Sequence, residues 1–105
     1  MKLKPGVKLK DLSPQMVLGA LIVLEVYRRF GVECVITSAN DSKHSEKSHH
    51  YKGNALDFRA HQDALNGREQ ELRDEVKASL GEDFDVVMEA VGTPNEHLHL
   101  EYDPR

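Results

Sequence analysis

The stretch Phe84 to Tyr102, FDVVMEAVGTPNEHLHLEY, decides how the rest of the chain is read. FDVVMEAV (Phe84 to Val91) and HLHLEY (His97 to Tyr102) are two strand-like runs joined through GTPN, which predicts a hairpin with a loop longer than two residues. Successive side chains of a strand point to opposite faces, so His97, His99 and Glu101 share one face and Leu98, Leu100 and Tyr102 the other. One side of this hairpin is written for a core, the other for polar chemistry.

Upstream, Asn66 to Leu80 reads as a surface helix. Asn66 is its expected cap, Glu69 sits at capping-box spacing, Leu72, Val76 and Leu80 form a stripe, and Gly81 stops it. NALDFR, from Asn54, reads as a short strand. Before it, Asn40 to Lys52 is a polar loop with three of the six histidines, and long loops in compact domains are usually functional or mobile. VECVITS (Val32 to Ser38) is β-branched and bounded by Gly31 and Asn40-Asp41, a further strand. Ser13-Pro14 starts the main helix and Gly31 ends it, with an expected apolar face through residues 17, 18, 21, 24 and Tyr27 to Phe30. The expected fold is α+β: a small, mainly antiparallel sheet with helices packed on one face and the histidines on the other.

With 105 residues the chain suits one domain, which buries roughly 65% of the surface exposed when unfolded. Its 14 basic and 18 acidic residues give a net charge of -4 and no footprint for nucleic acid. Lys2, Lys4, Lys8 and Lys10 read as a solvated arm. A single cysteine excludes an internal disulfide, and Cys34, in an apolar run, reads as a small buried hydrophobe. The apolar run Met16 to Leu24 is too short for a membrane span and no secretory signal is evident, so the expectation is a chain made in the cytoplasm, reaching any cell-wall target only after release.

Zinc takes nitrogen and oxygen donors from rigid elements, and catalytic sites use three protein ligands. His50, Asp57 and the His97/His99 pair are candidates, although an isolated HxH in a strand is more often two surface side chains. Taken together they form a pattern. Ser48, His50, Gly53, Ala55 and Asp57 reproduce S-x-H-x-x-G-x-A-x-D, and Glu96 with His99 gives an acid-x-x-His pair. In these motifs the chain resembles the zinc D-alanyl-D-alanine peptidases and the hedgehog signalling domains. The run HSEKSHHYKGNALDF from His44 looks most like hedgehog, as in a bacterial or phage hedgehog-like peptidase.

The resemblance implies one Zn2+ per chain held by His50, Asp57 and His99, with metal-activated water attacking the carbonyl of a peptidoglycan stem peptide, as a carboxypeptidase or endopeptidase. Glu96 is the first choice of general base and Glu89 the rival. His44 would stabilise an oxyanion, aided by Lys43; His97 would line the cleft; Ser48 would fix the loop or act as a plain turn residue. His49 and His61 read as surface residues. The hedgehog calcium site is depleted to Asp41, so no strong calcium dependence is expected. The peptidases' arginine after the Thr-Ser of the first strand has no counterpart beside Thr37 and Ser38, and the hedgehog tyrosine falls on Val87. Both departures motivate the alternative of a non-catalytic zinc-containing binding module.

Overall fold

Helix α1, Pro14–Phe30, is set by its ends. Ser13 Oγ accepts from the Met16 amide at 3.2 Å, and Pro14 occupies the first turn, where its missing N–H costs nothing. At the other end Gly31 turns left-handed at φ 71°, its amide donates to Arg28 O, and the Val32 amide donates to Tyr27 O. These two bonds satisfy carbonyls that the last turn would leave bare. They also take Val32 out of the following strand, so β2 covers Val35–Ser38 rather than starting at Val32.

The computed structural model describes residues 1–39 and 53–104. Beyond α1 and β2 these contain β1 (Lys2–Leu3), β3 (Ala55–Arg59), α2 (Glu69–Leu80), β4 (Phe84–Glu89) and β5 (His97–Tyr102). The strands make one mixed sheet in the order β1-β2-β3-β5-β4, antiparallel except for the parallel β1/β2 pair. The fold is the expected α+β arrangement, and the hairpin is β4 and β5.

Ile36, Leu56, Phe58, Leu98 and Leu100 are fully buried on the core face of the sheet, and Val86 nearly so. Burying a side chain of that kind contributes about 1.5–3 kcal/mol. The register is fixed by this alternation: Leu56 lies opposite Leu100, Phe58 opposite Leu98, and Asp57 opposite His99.

Four local expectations give way to packing. The buried side of α1 is Met16, Gly19, Ala20, Val23, Val26 and Tyr27, while Val17, Leu18 and Leu21 are 47%, 62% and 54% exposed. The helix is apolar nearly all round here, so periodicity alone does not choose a face. Gly19 chooses it: a Cβ there would lie 3.0 Å from Phe84 and 3.2 Å from Leu100, so the sheet approaches where the side chain is missing. Asn66 does not cap α2; at φ 50° it closes the 3-10 turn Asp63–Leu65, and with Gly67 at φ 82° the chain cannot enter a helix until Glu69. β4 ends at Glu89 because Ala90 turns left-handed at φ 53°.

The fourth difference is the N-terminal arm. Lys2 and Lys4 amides donate to Cys34 O and Ile36 O, both at 2.9 Å, which makes the arm an edge strand and fixes Lys4 beside β2. At the opposite edge, Arg73 Nε and Lys77 Nζ of α2 reach the outward carbonyls of Val86 and Phe84 at 2.9 and 2.6 Å. That blocks acceptors an intruding strand would use. Among the described residues no helix is long and apolar enough to cross a membrane.

Candidate metal centre

The face of the sheet away from the core follows from register. β3 contributes Asp57 and Arg59, β5 contributes His97, His99 and Glu101, and β4 contributes Asp85, Val87 and Glu89. Asp57 pairs with His99, which pairs in turn with Val87; Arg59 pairs with His97, which pairs with Glu89. Directly opposed residues in adjacent strands have Cβ atoms about 4.5–5.5 Å apart, so these side chains must meet.

They do. His99 Nδ1 lies 2.7 Å from Asp57 Oδ1, and its Nε2 lies 3.0 Å from Glu101 Oε1. Both ring nitrogens therefore face carboxylates. Burial alone would lower the His99 pKa, but the bonds to Asp57 and Glu101 and the charges of Asp57 and Glu89 outweigh it and raise it to about 9. His97 Nδ1 donates to Asn95 O at 2.8 Å, leaving Nε2 against Glu89 Oε1 at 2.9 Å and 3.9 Å from Asp57 Oδ1. A neutral ring with its proton on Nδ1 would put a lone pair against a carboxylate. The His97 pKa is raised accordingly, the Asn95 carbonyl and the Asp57 and Glu89 carboxylates prevailing over desolvation.

This donor set suits a cation. One oxygen each of Asp57 and Glu89 and one nitrogen of His97 lie within 4.8 Å of one another, and His99 Nδ1 is 4.0 Å from Glu89 Oε1. Ligands about 2.0–2.1 Å from a tetrahedral ion lie roughly 3.3 Å apart, so admitting one between Asp57 and His99 needs only a small opening of their 2.7 Å contact. Glu101 behind His99 Nε2 would hold the ring with Nδ1 toward the ion, as carboxylates behind ligating histidines do. A second acidic group, Asp85, Glu101 and Asp103, also gathers its oxygens within 4.8 Å. The described residues thus include groups able to hold a metal ion.

Of the residues expected at the site, Asp57, Glu89, His97 and His99 are brought together. Glu96 is not among them. It sits in the β4–β5 connection, only 8% exposed, with Oε1 accepting from the Gly92 amide at 3.1 Å and its backbone carbonyl accepting from the Ala60 and His61 amides. Its carboxylate ties the loop; the rival carboxylate, Glu89, touches the histidines. Lys43, His44, Ser48 and His50 lie outside the described residues, as does His49. Glu101 carries a contact that the reading of the sequence left without a role, although the alternation H-x-H-x-E already put it on the histidine face.

Gly53, the glycine of the motif, has φ +70°, and a Cβ on it would collide with the Asp11 carbonyl oxygen. Its own carbonyl accepts from the Ser13 amide at 3.0 Å, so the start of β3 is pinned to the segment leading into α1. The Thr37 hydroxyl donates to Asp57 O at 3.4 Å, beside the irregularity in register between Ile36 and Ser38. Comparison with protein families, with characterised proteins and with solved structures finds no match to this chain.

Proposed function

We propose that the chain is a zinc peptidase acting on peptidoglycan stem peptides of the D-alanyl-D-alanine type. The observation that carries this reading is the Asp57–His99 pair, with Glu101 behind it and Glu89 and His97 beside it, on the sheet face away from the core. Asp57 and His99 would hold the ion, with His50 as the third ligand expected from the sequence. When bound, zinc would supply Lewis-acid polarisation of the peptide carbonyl and of the attacking water. Glu89 then takes the proton from water and delivers it to the leaving amine. What favours Glu89 over Glu96 as the base is its reach to both histidines against the engagement of Glu96 by Gly92. His97, steadied through Nδ1 by Asn95 O, lines the cleft and holds the Glu89 carboxylate through Nε2 at 2.9 Å.

Zinc analysis together with hydrolysis of a stem pentapeptide ending in D-alanyl-D-alanine tests the proposal. Wild type should carry about one zinc per chain, with His99→Ala and Asp57→Ala losing it. Glu89→Gln should keep the metal and lose turnover by about 10²–10⁴-fold. A zinc-loaded wild type that releases no product would defeat the peptidase reading. One observation favours the binding-module alternative: Val87, across from His99, offers no hydroxyl to the site. Stoichiometric zinc without turnover on any stem peptide is its signature.

A further inference from the structure

Beside His97 lies a cavity of about 210 Å³ whose walls also include Lys4, Thr37, Arg59 and Asn95. Lys4 comes from the end of the N-terminal edge strand, Thr37 from β2 and Arg59 from the end of β3. Among the described residues neither the Lys4 ammonium nor the Arg59 guanidinium has a carboxylate or carbonyl partner. Glu96, which also borders the cavity, has its Oε1 on the Gly92 amide. Two cations therefore border a polar hollow whose one described carboxylate, Glu96, is engaged through Oε1 by the Gly92 amide, in a chain whose net charge is -4.

We propose that Lys4, Thr37 and Arg59 form a pocket for the C-terminal carboxylate of a peptide, a proposal that rests on the peptidase reading above. The planar fork of arginine matches a carboxylate with two parallel bonds, and lysine adds a point charge. The Thr37 hydroxyl, held among the described residues by a long 3.4 Å bond to Asp57 O, can turn to donate a third.

Position sets what such a carboxylate belongs to. Arg59 is directly across from His97 and two residues along β3 from Asp57, a step of about 6.6–6.8 Å. An extended peptide covers at most about 3.3–3.6 Å per residue. A carbonyl over Asp57 and His99 is then one or two residues from a carboxylate at Arg59. This selects a substrate that ends just past the scissile bond, and so a carboxypeptidase rather than an enzyme cutting within a long strand.

The test uses N-acetyl-D-alanyl-D-alanine and its C-terminal amide. NMR titration of the metal-free full chain measures binding without a zinc–carboxylate bond, and hydrolysis is followed on the zinc-loaded protein. Wild type should prefer the acid by at least about tenfold, the worth of one charge-assisted pair. Arg59→Gln should bring the acid-to-amide ratio close to one, Lys4→Gln should lower it less, and Arg59→Lys should fall between wild type and Arg59→Gln. Equal binding of acid and amide by wild type, no binding of either, or a preference unchanged in Arg59→Gln overturns the pocket. Turnover without discrimination between acid and amide overturns the pocket and leaves the peptidase standing. Discrimination that depends on Arg59, without turnover in any form, supports the pocket and removes the peptidase.

Discussion

Substituting Gly53 by alanine isolates a close approach between two parts of the backbone. Its φ of +70° costs an L-residue roughly 1–2 kcal/mol. The new Cβ also meets Asp11 O, with Asp11 C at 3.0 Å and Leu12 Cα at 3.1 Å, all backbone atoms that cannot swing aside, adding about 1–3 kcal/mol of overpacking. Alanine restricts the unfolded chain, which returns about 0.4–1 kcal/mol. The net loss is about 2–4 kcal/mol, a large part of the roughly 5–15 kcal/mol that stabilises a small domain. Gly31 is the matched control, with φ +71° and nothing within 4 Å of its added Cβ, so Gly31→Ala should cost only about 1 kcal/mol. Thermal unfolding of both variants in a chelator, which removes metal linkage from the comparison, should lower Tm by roughly 10–25 °C for Gly53→Ala and roughly 4–8 °C for Gly31→Ala. Equal shifts in the two variants would refute the packing argument and leave only backbone conformation.

Further outcomes follow from the same geometry. His99 titrates near 9 in the folded metal-free chain against an ordinary 6.5, so its contribution is complete below pH 6.5 and is lost as pH rises through 9. Urea unfolding of metal-free protein should show a fall on the order of 1–2 kcal/mol over that window after allowing for solvent screening, and His99→Gln should flatten it; a fall of the same size in the variant contradicts the assignment. Glu96→Gln should lower stability by about 1–2 kcal/mol through a weaker bond to the Gly92 amide while zinc content holds, whereas Glu89→Gln should leave stability within about 1 kcal/mol; urea midpoints read both, and the reverse pattern would reassign the two carboxylates. Removing the cover of β4 with Arg73→Ala and Lys77→Ala should yield concentration-dependent oligomers by light scattering, and a double variant that stays monomeric at every concentration argues against edge protection.

How far the sequence carried differs by element. The hairpin and the polar face of β5 were legible because period-two alternation specifies both strand and side, and α1 was legible at its ends because Ser13-Pro14 and Gly31 are stereochemical signals. The buried face of α1 was not, since an apolar helix is oriented by what packs on it, and here that is decided by the absent side chain of Gly19. β1 was hidden because two residues carry no period; their place depends on the carbonyls of Cys34 and Ile36. At the site, Asp57 and His99 stood out as residue types in a motif, whereas the choice between Glu89 and Glu96 turns on which lies across from His97 and which turns back to its own loop.

The pairing of β3 with β5 has a consequence for how a metal would be acquired. Asp57 and His99 are 42 positions apart and meet only in one register, because a slip of a single residue would send Asp57 to the core side. An ion held by both would reward that alignment alone, so capture would report a finished sheet rather than a local motif. Binding free energy would then appear as cooperativity of the whole fold, and a chelator should raise the global unfolding rate instead of loosening one loop.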